Sequence, residues 1–562
     1  MVDIEEANMF CFQCEQTQDG KACTVDRGVC GKTASVAALQ DLIIVVIKKV
    51  GTYSTLGKSI GYINKDVDNW ILDAMFSTLT NVNFDEKRLD EYLRQGAQKL
   101  KTAKEGYLIA CKAKGVAPSE IKDGDWEYKP DLSALIEEGK GYMLNKQKED
   151  WDTLSTKNLA LFGLKGAAAY YYHAIRLGAN DESVYSEYQT LLHKLTQPLT
   201  FEESIGVALK VGELSYKIVE VLDKLNTEVY GNPEITNVRI SPIKGKCILV
   251  SGHDLKDLEI LLKQTEGKGV NVFTHGEMLP CNAYPKLKTY KHLVGHYGGA
   301  WQNQKVDFQN FPGSILMTTN CIIEPRKTYV NRIFTRSSVG FPGVLHIKDD
   351  NMAPVLAAAL KEPGFKEDAP KKELTIGFAH HTVLSLAGTI VEAVKKGAIK
   401  HFFFIGGCDG SETERSYFTD FAKAVPSDCL ILTAGCGKYR VNCLELGAIE
   451  FQGVKIPRLL DCGQCNDSYS AVKIALALAD AFKVGVNDLP LSLVVSWFEQ
   501  KAVSVLLTLL HLGVKNIVLG PRLPAFVTPK LLDILVKGYA IRPTGKVEED
   551  LDFLLNKKLA KK

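Results

Sequence analysis

The stretch KCILVSGHDLKDLEILLKQTEGKGVNVFTHGE, residues 246–277, decides the fold. Its first segment, KCILVSG, is rich in apolar and β-branched residues and predicts a strand, and its last segment, VNVFTHGE, predicts another. Between them, DLKDLEILLKQTEGKG predicts a helix because its apolar residues recur three and four positions apart. A strand, a helix and a strand in this order indicate a parallel sheet with helices packed on its faces.

The same alternation continues toward the C-terminus, with one interruption at KEPGFKEDAPKKEL, residues 361–374. Before the interruption, GSILMTTN (313–320) predicts a further strand. After it, TVLSLAGTIVEAVKKG (382–397) predicts a helix. Strands are predicted there at TIGFAHH (375–381), HFFFIGG (401–407), DCLILTAG (428–435), IPRLLD (456–461), LSLVVS (491–496) and NIVLG (516–520).

The first part of the chain has the pattern of helices. From about Val36 to Leu225 apolar residues recur three and four apart, and GNPEITNVRISPIKGK (231–246) then predicts a linker. The predicted fold class is therefore a multidomain α and α/β protein. A helical-bundle domain with an N-terminal cysteine motif is expected over residues 1–232. Two α/β domains with mainly parallel, Rossmann-like sheets are expected over 233–370 and 371–562.

Composition excludes several classes of function. The formal net charge is +2 over 562 residues, and no basic stripe stands out, so we expect no nucleic-acid partner. The first residues, MVDIEEAN, are acidic and lack the apolar segment of a signal peptide. The longest apolar run, AVSVLLTLLHLGV from Ala502, is too short to span a bilayer. We therefore expect a cytoplasmic protein with no membrane partner.

The chain carries 14 cysteines, which disulfides explain poorly in a reducing compartment and metal or catalysis explains better. Four of them are predicted to be small buried hydrophobes, namely Cys111, Cys247, Cys429 and Cys443. Four more lie close together in MFCFQCEQTQDGKACTVDRGVCGKT (9–33), namely Cys11, Cys14, Cys23 and Cys30. These four thiols could form a disulfide knot, a zinc clip or the ligand set of an iron–sulfur cluster.

Seven other side chains with metal-binding chemistry each follow a predicted strand. ILVSG leads to His253, VFTHG to Glu277, ILMTTN to Cys321, FFFIGG to Cys408, LILTAG to Cys436, RLLDCGQ to Cys465 and SLVVSWF to Glu499. Taken singly, each is more often an ordinary structural residue. Binding sites in open α/β sheets lie beyond the carboxyl ends of the strands, so as a group these residues could converge on one point.

The chemistry of this set points to more than one metal ion. Thiolates prefer soft or borderline metals, whereas carboxylates and imidazole suit harder iron. Structural zinc takes four ligands, so one zinc ion cannot use seven. The set suits a cluster of several irons with sulfide and oxygen bridges. Cys408 and Cys465 both precede helix-capping residues, and we expect this position to lower the pKa of their thiols.

At these residues the chain resembles the hybrid-cluster proteins, also called prismane proteins or hydroxylamine reductases. The resemblance covers essentially the whole chain, and the three-domain architecture of that family is shared with nickel carbon monoxide dehydrogenases. The matching motifs are MFCFQCEQ with GVCGKT, SGHDL, HGEMLP, TTNCIIEP, IGGCDG, TAGCGKYR, GQCNDSYS and WFEQKAV.

The resemblance implies the ligands of a hybrid [4Fe–2O–2S] cluster, which would be His253, Glu277, Cys321, Cys408, Cys436, Cys465 and Glu499. It also implies that Cys408 can carry an extra sulfur as a persulfide and that Lys501 takes part in proton delivery. The expected catalytic residues are Lys501, Glu499, His253 and Cys408, and a lysine beside charged iron is expected to have a lowered pKa. GQCND identifies Cys465 as the ligand and leaves Cys462 as a spare thiol.

The resemblance implies that the four N-terminal cysteines bind a second, conventional cluster that relays electrons. Their spacing is C-x2-C-x8-C-x6-C. The short middle gap favours a [4Fe–4S] cluster, whereas the final gap is typical of members that bind [2Fe–2S].

The implied function is the reduction of hydroxylamine to ammonia and water. Nitric oxide reduction and protein S-nitrosation through Cys408, in defence against nitrosative stress, use the same kind of site. A carrier of electrons or a nitric oxide sensor without turnover, and a zinc-bound structural protein, are alternatives of other classes. No convincing nucleotide motif is present. The expected partners are a small nitrogenous substrate and an external donor, either a ferredoxin or an NADH-dependent reductase.

Overall fold

The computed structural model describes residues 7–556, so the first six residues of the acidic N-terminal segment and residues 557–562 lie outside it. Within the described part, no helix combines the length and apolar character that crossing a membrane requires. The chain is helical up to residue 230. Its helices are α1 (Ala34–Ser59), α2 (Lys65–Ser77), α3 (Glu86–Lys114), α4 (Leu132–Lys140), α5 (Trp151–Arg176), α6 (Glu182–Lys194) and α7 (Phe201–Tyr230).

Each of these helices begins at a residue whose side chain accepts a hydrogen bond from a backbone N–H of the first turn. The capping residues are Thr33, Asn64, Asp85, Asp131, Asp150, Asp181 and Thr200. Such caps satisfy backbone donors that a helix start would otherwise leave free. Helix α5 is buried along most of its length and packs against α7 at the centre of the bundle.

The first α/β part follows the bundle. Its strands are β1 (Thr236–Arg239), β2 (Lys246–Ser251), β3 (Val270–Thr274), β4 (Leu293–His296), β5 (Ser314–Met317), β6 (Ile333–Thr335) and β7 (Leu345–His346). Its helices are α8 (Leu255–Thr265), α9 (Pro285–Lys288), α10 (Gln304–Asn310) and α11 (Ala353–Lys361). Strands β2 to β7 form a parallel sheet in the order β4-β3-β2-β5-β6-β7.

The second α/β part repeats this architecture. Its strands are β8 (Glu373–Ile376), β9 (His401–Gly407), β10 (Cys429–Thr433), β11 (Ala448–Phe451), β12 (Val454–Pro457), β13 (Leu459–Asp461), β14 (Leu491–Ser496), β15 (Ile517–Gly520) and β16 (Arg542–Pro543). Its helices are α12 (His380–Ser385), α13 (Ala387–Lys395), α14 (Ser416–Ala424), α15 (Ser468–Phe482), α16 (Gln500–His511), α17 (Pro529–Tyr539) and α18 (Val547–Asn556). A second parallel sheet has the order β13-β10-β9-β14-β15-β16.

The predicted fold class, helices followed by two mainly parallel sheets, is confirmed. Three local predictions are wrong. The segment predicted as a linker contains β1, which pairs antiparallel with β8, so the strand predicted at TIGFAHH does not join the second sheet. The predicted helix 382–397 is interrupted at Leu386. The predicted strand IPRLLD is split, because its first two residues end a hairpin with β11. The boundaries at residues 232 and 370 stay a prediction.

Candidate metal centre between the two sheets

The carboxyl ends of the two parallel sheets meet at one buried pocket with about 420 Å³ of empty space. Three neighbouring strands of the first sheet, β3, β2 and β5, and four neighbouring strands of the second, β13, β10, β9 and β14, end there. The residues that follow these strands line the pocket, and they are all seven of the side chains predicted to bind metal: His253, Glu277, Cys321, Cys408, Cys436, Cys465 and Glu499. The aromatic rings of Trp301 and Phe498 complete the lining.

The closest group in the pocket joins the two sheets. The ligand atoms of His253, Glu277 and Cys465 all lie within 4.8 Å of one another. The imidazole Nε2 of His253 is 3.9 Å from Oε2 of Glu277, and the backbone N–H of Cys465 donates to the same Oε2 at 2.7 Å. The other carboxyl oxygen, Oε1 of Glu277, is buried and has no hydrogen-bond partner within residues 7–556. A metal ion would satisfy this oxygen.

The orientation of the His253 ring is fixed by a hydroxyl group. Oγ1 of Thr319 accepts from the backbone N–H of His253 at 2.9 Å and lies 3.1 Å from its ring Nδ1. This contact occupies one ring nitrogen and leaves Nε2 on the side of Glu277. Metal-binding histidines commonly have their second nitrogen held in this way.

Helix α16 brings two further predicted residues to the site. Glu499 caps the helix, since its Oε2 accepts from the backbone N–H of Lys501 at 2.8 Å. Lys501 lies behind this cap and is not among the residues that line the pocket. Its ammonium group is fully buried, has no hydrogen-bond partner among the described residues, and lies 5.8 Å from the ring centroid of Tyr170.

The surroundings of Lys501 favour a charged ammonium group. Burial by itself lowers the pKa of Lys501, but the nearby Cys465 and Glu499, followed by Cys321 and Glu277, raise it overall. The lowered pKa expected of a lysine beside charged iron stays a prediction. A positive charge beside the pocket stabilises the anionic forms of the ligand side chains.

The four thiols of the pocket resist ionisation as they stand. Burial raises the pKa of Cys408 to about 12. Burial is also the largest cause that raises the pKa values of Cys321, Cys436 and Cys465 well above their usual range, and Lys501 opposes it at Cys321 and Cys465. The expected lowering at Cys408 and Cys465 is wrong, because desolvation outweighs any effect of the following helices. Four crowded thiolates would repel one another, and the positive charge of several iron ions would offset this repulsion. The donor set therefore fits a multinuclear iron cluster.

The four N-terminal cysteines form a second group. Cys11 and Cys23 exchange two backbone hydrogen bonds of 3.1 and 2.8 Å, and after burial the charges of its three partners raise the pKa of Cys14. Four thiols at one place suit the ligand set of an iron–sulfur cluster.

The N-terminal group contacts the central pocket directly. The backbone N–H of Glu15, next to Cys14, donates to the carbonyl of Phe498 at 3.0 Å. Arg415, fully buried, donates to the carboxylate of Glu15 and, at 3.1 Å, to the carbonyl of Cys408. The single side chain of Arg415 therefore contacts both the N-terminal cysteine segment and the loop of Cys408.

The remaining cysteines lie outside the pocket lining. Cys111, Cys247 and Cys429 are buried, which confirms the prediction for them, whereas Cys443 is exposed, so the prediction of a buried thiol is wrong there. Cys443 lies in the segment between β10 and β11, which carries it to the surface. Cys462 is buried.

One buried thiol near the site was missed by the sequence analysis. The Sγ of Cys281 lies 3.7 Å from the side-chain nitrogen of Gln464, which also donates to the carbonyl of Glu277 at 2.5 Å. The motif HGEMLPC places Cys281 four residues after Glu277, and this spacing could have predicted that the thiol lies near the site.

A large apolar cavity adjoins the pocket on the side of the second sheet. It holds about 1440 Å³ of empty space and shares Cys408 and Cys465 with the central pocket. Its walls come mostly from aliphatic side chains of β9, β14, α15 and α16. Its lining also includes Asn487, Lys515 and Asn516 in the loops beyond α15 and α16.

The chain is similar to known proteins in both sequence and structure. A sequence profile of the Prismane/CO dehydrogenase family matches residues 9–552. The chain is 50% identical over 552 residues to a hydroxylamine reductase of Methanocella arvoryzae (strain DSM 22066 / NBRC 105507 / MRE50), covering 97% of this chain and 100% of that relative.

Three similar solved structures are carbon monoxide dehydrogenases. The nickel-free enzyme of Thermococcus sp. AM4 has a TM-score of 0.54 at 17% identity and covers 99% of this chain and 92% of its own. Carbon monoxide dehydrogenase IV of Carboxydothermus hydrogenoformans has a TM-score of 0.54 at 13% identity, and the match covers 96% of this chain and 90% of that one. An acetyl-CoA synthase/carbon monoxide dehydrogenase with nickel-containing [Fe4S4] clusters has a TM-score of 0.56 at 14% identity, and the match covers 100% of this chain and 89% of that one. At these identities the likeness concerns the fold alone.

Proposed function

Because the chain belongs to the Prismane/CO dehydrogenase family, we propose that it is an iron–sulfur oxidoreductase that reduces hydroxylamine to ammonia and water. Its relative of 50% identity bears the name hydroxylamine reductase, and the match spans nearly both chains. The observation that carries the proposal is the convergence of four thiols, two carboxyls and one imidazole on one buried pocket. Each turnover breaks one N–O bond and consumes two electrons and two protons.

The ligand set of the proposed hybrid [4Fe–2O–2S] cluster is His253, Glu277, Cys321, Cys408, Cys436, Cys465 and Glu499. Its mixture of soft sulfur and hard oxygen and nitrogen donors supports a centre that is not an all-thiolate cubane. When bound, such a cluster supplies electrons and a Lewis-acidic iron for polarising the substrate. We assign to Cys408 the sulfur that can be converted to a persulfide.

The proposed route for electrons runs through the N-terminal cysteines. We assign to Cys11, Cys14, Cys23 and Cys30 a [4Fe–4S] cluster in preference to a [2Fe–2S] cluster. Cys11 and Cys30 are partly exposed, so an external ferredoxin or an NADH-dependent reductase could approach this group closely. The contact from Glu15 to Phe498 provides a short connection from there to the central pocket.

The proton supply is assigned to this chain's own residues. Lys501 holds three protons on a buried Nζ that makes no hydrogen bond within the described residues, and Glu499 caps the same helix turn. Trp301 and Phe498, whose rings lie 4.5 Å apart, restrict water on another wall of the pocket. We propose that Lys501 delivers protons toward the substrate, with Glu499 and His253 as the other candidate donors.

Nitric oxide reduction is the second candidate function, and the apolar cavity favours it. Its aliphatic walls would accept an uncharged diatomic gas at little desolvation cost and would bring it to Cys408 and Cys465.

We propose a cytoplasmic location for either function, because all the cysteines within residues 7–556 are free thiols, as is typical of a reducing compartment.

The deciding experiment is turnover by anaerobically purified protein with reduced viologen as electron donor. The proposal expects one ammonia for each hydroxylamine and two electrons consumed. Glu277→Gln removes the anionic ligand while keeping its shape, and we expect loss of hydroxylamine turnover together with altered iron content. Electron uptake without ammonia would contradict the proposed function and would favour a carrier or a sensor.

A further inference from the structure

A small polar cavity shares His253 with the central pocket. It holds about 190 Å³ of empty space, less than half of the 420 Å³ of the central pocket. The polar residues that line it are His173 on α5, Asn226 on α7, His253, Asp254 and Lys256 after β2, and Asn466 beside Cys465. The cavity therefore lies where the helical bundle meets the first sheet.

Three of these residues carry a buried polar atom that makes no hydrogen bond within residues 7–556. They are Nε2 of His173, Nδ2 of Asn226 and Oδ2 of Asp254, and this last oxygen has only longer ion-pair contacts, at 3.6 Å to Nε of Arg176 and 3.7 Å to Nδ1 of His173. The exposed fractions of these residues are 5%, 2% and 1%. An unsatisfied buried polar group costs about 1–3 kcal/mol. Three of them around one cavity indicate a guest that both donates and accepts hydrogen bonds.

The character of this cavity is opposite to that of the apolar cavity. Both adjoin the central pocket, but the apolar cavity reaches it at Cys408 and Cys465, and the polar cavity reaches it at His253. The outer wall of the polar cavity includes Lys256, whose side chain is 36% exposed. The space between these walls takes one molecule about the size of water or ammonia, and a guest of two heavy atoms requires the wall at Lys256 to open slightly.

We propose that the polar cavity is a binding site for one small amine or hydroxyl compound, which it passes between solvent and the central pocket past His253. The inference rests on the proposed function for the identity of the guest. Hydroxylamine as incoming substrate and ammonia as outgoing product share the required chemistry, since each carries N–H donors and a lone pair. Asp254 accepts from the guest, and Asn226 donates to it.

Crystals of the oxidised holoenzyme provide the first test, because they hold the guest without turnover. One crystal is soaked in hydroxylamine and another in ammonium chloride. We expect density in the cavity within about 3.2 Å of Nδ2 of Asn226 and Oδ2 of Asp254. An ordered water molecule gives the same density as ammonia, so each map is compared with that of an unsoaked crystal. Elongated density with hydroxylamine marks a substrate site, and its displacement by added ammonium chloride marks a shared path. Density that is the same in all crystals overturns the proposal.

Kinetics of matched variants provide the second test. Asn226→Leu removes the donor, fills the cavity and leaves every proposed iron ligand in place. We expect the KM for hydroxylamine to rise about tenfold, the equivalent of one lost hydrogen bond, with kcat and the rate of nitric oxide consumption unchanged. Ala475→Leu in the wall of the apolar cavity is the control and is expected to slow nitric oxide consumption alone.

A second variant guards against misfolding. Asn226→Asp keeps the shape of the side chain and replaces the buried donor by an acceptor, so it is also expected to raise the KM. Density in the soaked crystals with an unchanged KM in both variants would mean binding at crystal concentration only and would overturn the proposal. If the wild-type protein does not reduce hydroxylamine, the proposed function fails, and the soaked crystals still decide whether the cavity is a site.

Discussion

At the scale of single residues, one hydroxyl group positions the imidazole of the candidate metal centre. Thr319 contacts both the backbone and the ring of His253. We expect Thr319→Val to lower iron content or hydroxylamine turnover by about 10- to 100-fold, as is usual when the group that orients a metal ligand is lost. Iron analysis and steady-state rates measure this effect.

The control for that prediction is Thr319→Ser, which keeps the hydroxyl group and is expected to restore both quantities. Equal losses in the valine and serine variants would show that the hydroxyl group alone does not position the ring, which would contradict the prediction.

A second residue, His346 on β7, makes stability depend on pH. Burial, followed by the charges of Arg88, Lys348 and Arg336, lowers the pKa of His346 to about 3. The unfolded chain, with a histidine pKa of about 6.5, then binds more protons than the folded chain between these values. This contribution to stability is complete above about pH 6.5 and is lost as the pH falls toward 3, with a slope of at most about 1.4 kcal/mol per pH unit.

The variant His346→Gln removes the titrating ring. We expect its free energy of unfolding to fall less steeply than that of the wild-type protein between pH 7.5 and pH 5, as measured by denaturant titration at each pH. Parallel curves for the two proteins would contradict this assignment.

At the scale of elements, helix α16 carries the Glu499 end of the site and is held on the bundle by close backbone approach. A Cβ atom added to Gly212 of α7 would lie 2.1 Å from the carbonyl oxygen of Leu507. Gly206 lies on the same helix, but an added Cβ there would meet nothing within 4 Å. We therefore expect Gly212→Ala to lower the free energy of unfolding by at least about 1–3 kcal/mol.

The matched variant Gly206→Ala is expected to be neutral or to stabilise the protein by up to about 1 kcal/mol, because it adds helix propensity without a clash. Thermal unfolding of both variants, together with iron content, tests the pair. Equal melting temperatures would show that α16 can move away from α7 without cost.

At the scale of the whole molecule, Arg415 joins the N-terminal cysteines to the central pocket. It contacts Glu15, the carbonyl of Cys408 and, at 2.8 Å, the carbonyl of Trp497. Lysine keeps the charge but lacks the fork of donors that reaches several acceptors at once. We expect Arg415→Lys to slow electron transfer between the two proposed clusters while reduction of the N-terminal cluster by dithionite stays at the wild-type rate.

Stopped-flow absorbance under anaerobic conditions separates these two phases. Arg440→Lys is a suitable control, since Arg440 binds Asp409 of the same loop at 2.8 Å without touching Glu15. Slowing of equal size in both variants would mean that the loop around Cys408 is disturbed in general.

Much of the site could be predicted, because its residues occupy one position in a repeated pattern. Each of the seven follows an apolar strand, and the edge of a parallel sheet brings such positions together. The direction of the thiol pKa shifts could not be predicted, since desolvation depends on how much protein surrounds each sulfur. The pairing of β1 with β8 was also missed, because those strands are 134 residues or more apart in sequence and short polar strands carry little local signal.

The sequence by itself determined the order of helices and strands and the identity of the side chains at the strand ends, since periodicity and turn residues are local properties. Only the tertiary structure decided that the edges of two separate sheets face each other, that Lys501 is enclosed by anionic groups, and that the cavities beside the pocket differ in polarity. These features depend on distances between residues far apart in the chain, and such distances are set by the packing of whole elements.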